Sequence, residues 1–153
     1  MSLIRRAFLI AAAWLSASAL AQTYSISTLA GQPNSPGTAD GTGGAARFSN
    51  PQSIAVDAAG NLYISDYADN KVVRYNGTNG AFISVFVPRQ FPNQPGAVDQ
   101  PTGLLFGPDG NLYVCCNNMD CIKRYNGVTG AFMDVFASPG SCGLDYPARI
   151  AFI

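Results

Sequence analysis

From Pro51 onward, apolar residues come in short runs separated by turn formers. Ser53–Asp57, Asn61–Ser65, Lys71–Tyr75 and Ala81–Val87 are rich in Val, Ile, Leu, Phe and Tyr. Branched and aromatic side chains fit a pleated, half-buried surface, so each run predicts a strand. Ala58-Ala59-Gly60 reads as a tight turn. Asn76-Gly77-Thr78-Asn79-Gly80 reads as a hairpin loop, where positive φ is cheap for Gly and tolerated by Asn. No helical period is sustained downstream of Ala21.

The pattern then repeats. Gly60–Phe82 reads GNLYISDYADNKVVRYNGTNGAF, and Gly110–Phe132 reads GNLYVCCNNMDCIKRYNGVTGAF. Pro51-Gln52-Ser53-Ile54-Ala55-Val56 is answered by Pro101-Thr102-Gly103-Leu104-Leu105-Phe106 and again by Pro147-Ala148-Arg149-Ile150-Ala151-Phe152. The three starts are 50 and 46 residues apart. Such a period belongs to a propeller blade or a solenoid turn, and four antiparallel strands per period select the blade. The expected fold is an all-β propeller of four-stranded antiparallel blades, with about two blades and flanking strands present. Residues 51–100 and 101–146 form the blades, residues 22–50 supply an outer strand and a Gly-rich lead-in, and residues 147–153 begin a third blade. Rings of this kind close with about four to eight blades. The chain is therefore expected to be part of a longer propeller, or else to build a ring from several copies.

These residues resemble the NHL-repeat six-bladed propellers, which adjoin the gluconolactonase-like group in fold. The resemblance lies in Pro51, Ile54, Ala55, Val56, Asp57, Gly60, Asn61, Leu62, Tyr63, Asp66 and Asn70-Lys71-Val72. Ile26–Gly31 followed by Ala39–Pro51 resembles the outer strand and long loop that precede such a blade. The eponymous Asn-His-Leu is Asn70-Lys71-Val72 here and Asp120-Cys121-Ile122 in the second copy, where Cys116 also replaces the blade aspartate Asp66. The resemblance implies a fold more than an activity, because this fold carries many functions.

The amino terminus has a different character. Arg5 and Arg6 precede an apolar stretch from Ala7 to Leu15, and Ala19-Leu20-Ala21 fits a small-residue cleavage rule. Residues 1–21 are read as a signal peptide and the protein as extracytoplasmic, periplasmic or secreted. Arg5-Arg6-Ala7-Phe8-Leu9 also resembles a twin-arginine signal, although Ile4 and Ile10 depart from that pattern. No membrane association is expected after cleavage. Without Arg5 and Arg6, seven Lys and Arg face nine Asp, a net charge of −2. No basic stripe accompanies the aromatics, which excludes a nucleic-acid partner.

Candidate chemistry sits where strands end. In a four-stranded blade, the turn from second to third strand lies on the same face as the connections between blades. That face gathers Asp66, Asp69 and Asn70 from the first blade and Asn117 and Asp120 from the second. Asp40, Arg89, Asp99, Cys142 and Asp145 join them from the connections. Asp and Asn also populate turns for conformational reasons alone. Cys115, Cys116, Cys121 and Cys142 gather at the same end of the second blade. In an exported chain an even cysteine count favours disulfides, with Cys116–Cys121 first and Cys115–Cys142 next. Cys115 and Cys116 leave the strand on opposite faces, so at most one of these bridges is expected to form. Free thiols and a metal cluster are the alternatives, the latter disfavoured by the lack of His and of C-x-x-C spacing.

The function expected is binding, of a protein or of a small-molecule or carbohydrate ligand, through the channel-face loops. The chain contains neither His nor Glu, which removes the commonest general acids and bases. The alternative is a metal-dependent lactonase, implied by the resemblance to gluconolactonase-like propellers. It would hold a divalent cation such as calcium on Asp66, Asn70, Asn117 and Asp120, but the Glu of that group's ligand set is absent. No catalytic residue and no obligatory cofactor is assigned.

Overall fold

The computed structural model describes residues 27–91 and 94–153. The signal peptide expected over residues 1–21 lies outside them, as does the Cys142 side chain.

Two four-stranded antiparallel sheets make up the fold, and the described residues form no closed ring. The first contains β1 (Pro51–Val56), β2 (Asn61–Asp66), β3 (Lys71–Asn76) and β4 (Phe82–Val87), in that spatial order. The second contains β5 (Pro101–Phe106), β6 (Leu112–Cys116), β7 (Cys121–Tyr125) and β8 (Phe132–Ala137), again in sequence order. These are the two propeller blades that the repeat predicts. Each expected strand forms, with ends shifted by a residue or two, and both blades carry bulges at matching places in the pairing of their third and fourth strands. The flanking segments differ from expectation. Among the described residues, 27–31 and Pro147–Ile153 join no ladder, so the start of a third blade does not appear as a strand, and the expected outer strand lies partly outside the described residues.

The period of two decides which residues build the core. On β6 and β7 the alternate residues Leu112, Val114, Cys116, Cys121 and Tyr125 face the first blade and are buried against Tyr63, Val72, Phe86, Val87 and Val98. Tyr63 is fully buried, and its ring meets Phe86 edge-on at 4.8 Å and Phe106 of the second blade at 4.8 Å. Edge-to-face pairs of this kind add about 0.5–1.5 kcal/mol each beyond the area they bury. Hydrogen bonds also link strands of the two blades: Ser65 Oγ donates to the Thr102 carbonyl at 3.0 Å, and Leu104 N–H donates to Ser53 Oγ at 3.2 Å.

The other face of the first blade is covered by the lead-in. Ala46, Val73 and Tyr75 are buried there, with Ala30, Phe48 and Phe82 packed around them. The far face of the second blade repeats the packing with fewer partners. Tyr113 meets Phe136 at 4.9 Å and Phe152 at 5.0 Å. Phe152 thus stands to Tyr113 as Phe106 stands to Tyr63, although its segment pairs with no strand.

The hairpin glycines have a reason the sequence does not show. Positive φ falls on Gly80 and Gly130, not on Gly77 and Gly127. A Cβ on Gly77 would come within 2.0 Å of the Gly60 carbonyl oxygen, and one on Gly127 within 1.8 Å of the Gly110 oxygen. The two turns at the outer end of each blade touch backbone to backbone, and only Gly permits that.

Candidate functional site

The turn from second to third strand lies beside the connection between blades in both repeats. In the first blade, Tyr67 N–H donates to the Asn50 carbonyl at 3.3 Å and Ala68 N–H to that of Ser49 at 3.0 Å. In the second, Asn117 N–H donates to the Gln100 carbonyl at 3.1 Å. The residue before each blade-opening proline has left-handed backbone: Asn50 (φ 64°), Gln100 (φ 50°) and Tyr146 (φ 45°). Two of these joints are clamped by a side chain from the neighbouring turn. Asn70 Oδ1 accepts Gln100 N–H at 2.8 Å, and Asp120 Oδ1 accepts Tyr146 N–H at 2.9 Å. Asn70 and Asp120 are themselves left-handed, at φ 52° and 47°.

The other acidic candidates hold backbone or charge partners. Asp66 is buried, and both its oxygens accept Ser49 N–H at 3.0 Å. Burial pushes its carboxyl up from the ordinary value, against the Ser49 hydrogen bond. Asp69 pairs with Lys71 at 2.8 Å and reaches Arg89 at 3.6 Å, while Lys71 also binds Asp40 at 2.9 Å. Burial pulls the Lys71 ammonium down, but its bonds to Asp40 and Asp69 leave it raised on balance. Asn117 opens the short 3-10 turn Asn117–Met119, and Asp145 is exposed in the connection that follows the second blade. Among the described residues, no three His, Cys, Asp or Glu side chains gather in a way that could hold a metal ion. The oxygens proposed as calcium ligands are thus divided between two turns, and several of them accept backbone N–H groups.

The expected Cys116–Cys121 disulfide is not formed. Cys115, Cys116 and Cys121 are free thiols. Cys116 and Cys121 are nevertheless direct register partners, and the Cys116 thiol donates to the Val114 carbonyl at 3.9 Å. Packing holds them as a buried thiol pair. The Cys115–Cys142 alternative involves a side chain outside those described.

A cavity of about 350 Å3 opens on this face between the two blades. Asn70 borders it from the first blade's turn, Asn118 and Met119 from the second blade's turn, and Arg89, Gln90 and Asp99 from the connection. Ala97 and Val98 give it an apolar wall. Asp99 Oδ2 accepts a hydrogen bond from the Asn118 amide at 2.7 Å, which fixes both groups. Sequence reading marked Asn70, Arg89 and Asp99 as members of this face and assigned the whole Asn117–Asp120 turn, with Asn118 and Met119, to it, but passed over Gln90. The only signal for Gln90 was its position in the connection. A hollow of about 380 Å3 beside the lead-in, lined by Thr28 to Pro36, Phe48 and Pro51, contains no charged side chain and is a less selective place for a ligand.

No protein-family model matches the sequence, and no curated protein matches it. Among solved structures, the chain is similar to a protein described as a calcium-binding protein, regucalcin, from Agrobacterium tumefaciens. The TM-score is 0.53 at 20% identity, over 73% of this chain and 37% of that one. The chain thus spans little more than a third of that protein's length, and the likeness is one of fold: part of a β-propeller.

Proposed function

We propose that this chain is an exported binding module of propeller type that takes a small, hydroxyl-rich ligand of the carbohydrate class between its two blades. The observation that carries this reading is the inter-blade cavity, where a guanidinium, a carboxylate and three carboxamides from three segments converge over an apolar wall. Carboxamides and carboxylates both serve vicinal hydroxyls, because hydroxyl groups donate and accept. Asn70 has its oxygen on Gln100 N–H, so its NH2 is the group it offers. Asp99 has one oxygen on Asn118 and offers the other. These groups are positioned before any ligand arrives, which lowers the ordering cost of binding. Export rests on the basic-apolar-small pattern of residues 1–21, and the preference for binding over catalysis rests on a chain without His or Glu.

The metal-dependent lactonase reading draws on the calcium binding of the similar propeller, but this chain's oxygen ligands are dispersed as described above. Isothermal titration of the mature chain with a panel of mono- and oligosaccharides tests the proposal. Saturable binding by at least one class is expected, with loss of about tenfold or more in affinity on Arg89→Ala and on Asp99→Ala. Absence of binding across the panel, or undiminished binding by both folded variants, would overturn it.

A further inference from the structure

The repeat shows which residues the fold itself requires, and one pair departs from it. Asp66 and Lys71 are cross-strand partners in the first blade, and the same two places in the second blade hold Cys116 and Cys121. Both members of a contacting pair are replaced together, and by the same residue. Both thiols are buried, at 0% and 2% exposure, on the side of the sheet that faces the first blade. Cys115 lies between them and the rest of β6 but points to the opposite side. Lys123 follows Cys121 by two residues and so shares its side of the sheet; its ammonium is held nearby by the Pro95 and Ala97 carbonyls, at 3.0 and 2.5 Å. The turn that separates the two cysteines carries Asn118 and Met119, which border the cavity.

We propose that Cys116 and Cys121 form a reversible dithiol–disulfide site that is oxidised by small hydroperoxides. The Cys121 thiolate attacks the outer oxygen of the hydroperoxide; the O–O bond breaks, the alcohol (or water) leaves with a proton, and Cys121 becomes a sulfenic acid. The Cys116 sulfur then attacks the Cys121 sulfur. An S–S bond forms, the S–O bond breaks, and hydroxide leaves as water with the Cys116 proton. Two thiols and one hydroperoxide give one disulfide, one alcohol and one water. The sulfurs lose two electrons and the peroxide gains them.

The two thiols differ in the sense this order needs. The adjacent Cys116 thiol lowers Cys121 below the ordinary thiol value, with Lys123 assisting against burial and Asp120. The adjacent Cys121 thiol, with burial, raises Cys116. Cys115 is raised to about 11, chiefly by burial, and serves as an internal control. Burial of both thiols excludes bulky disulfide reagents and makes the smallest hydroperoxides the reagents to test.

The test uses the reduced full chain, exposed to hydrogen peroxide, quenched by alkylation and mapped by mass spectrometry. The expected product has one bond joining Cys116 to Cys121, with Cys115 still alkylatable on unfolding and both thiols restored by dithiothreitol. Dimedone added with the peroxide should label Cys121, and Cys116→Ser should let that label accumulate. Cys121→Ser should slow loss of the Cys116 thiol by about tenfold or more. Dimedone trapping in the unmodified chain reads the same order if either variant fails to fold. Retention of both thiols in the folded protein, a first bond that involves Cys115 or Cys142, or first labelling at Cys116 would overturn the proposal.

Discussion

Asn70 offers a sharp test of how the blades are joined, because two separate effects meet in it. Its Oδ1 accepts the Gln100 N–H at 2.8 Å across the inter-blade joint, and its own backbone is left-handed at φ 52°. Removal of the acceptor leaves a part-buried N–H without a partner, at a cost of about 1–3 kcal/mol. A Cβ in left-handed backbone without a compensating local hydrogen bond costs about 1–2 kcal/mol more. Asn70→Ala incurs both and should lose about 2–5 kcal/mol. Asn70→Gly keeps the backbone relaxed and should lose about 1–3 kcal/mol. Asn70→Asp keeps an acceptor, as Asp120 does at the equivalent joint on Tyr146, and should stay within about 1 kcal/mol of the parent. Urea unfolding of the mature chain without ligand gives the comparison, and with slopes of about 1–3 kcal/mol per molar the alanine variant should shift its midpoint by roughly 1–2 M. If Asn70→Asp unfolds as early as Asn70→Ala, the acceptor is not what joins the blades. If Asn70→Gly is no better than Asn70→Ala, the left-handed backbone carries no strain.

Gly127→Ala should destabilise by about 1–3 kcal/mol or more, because its Cβ would lie 1.8 Å from the Gly110 oxygen, whereas thermal melts of Gly110→Ala should show only the smaller penalty of its φ of 74°. Tyr146→Gly should stabilise by about 0.5–1 kcal/mol in the same melts, since relief of left-handed strain at φ 45° outweighs the entropy cost of Gly, the side chain is exposed, and Tyr146 donates to Asp120 only through its backbone. Asp57 is pulled below the ordinary carboxylate value: burial raises it, but hydrogen bonds from Asn61, Tyr63 and Ala59 outweigh burial. The stability it contributes is present above the unfolded value of 3.8 and lost as pH falls through the lower folded value, so the parent's advantage over Asp57→Asn in urea should shrink below pH 3.8.

Much of the fold was legible in the chain because its causes are local. Alternation of apolar residues, Gly and Asn at the turns and the second copy of Gly60–Phe82 specify eight strands and their order, since strand formation and hairpin closure depend on neighbours along the sequence. The same logic identified the face that carries Asn70, Asp99 and Arg89. What it did not specify depends on residues far apart in the chain. Asp57 and Asp109 both hold a tyrosine hydroxyl, at 3.0 Å on Tyr63 and 3.1 Å on Tyr113, yet they stand at different places in their repeats. Only the folded turn shows that two positions can deliver one carboxylate to one site. Asn70 and Asp120 read as turn residues or ligands in the sequence, and the structure makes them clamps on joints 30 and 26 residues away. The cavity exists because the connection around Arg89 and Asp99 packs against two turns from different blades. The cysteines show the division most clearly. Sequence spacing placed Cys116 opposite Cys121, and register confirmed it. That both thiols are buried on the side facing the first blade, with the Lys123 side chain beside them, is a property of the packed sheets alone.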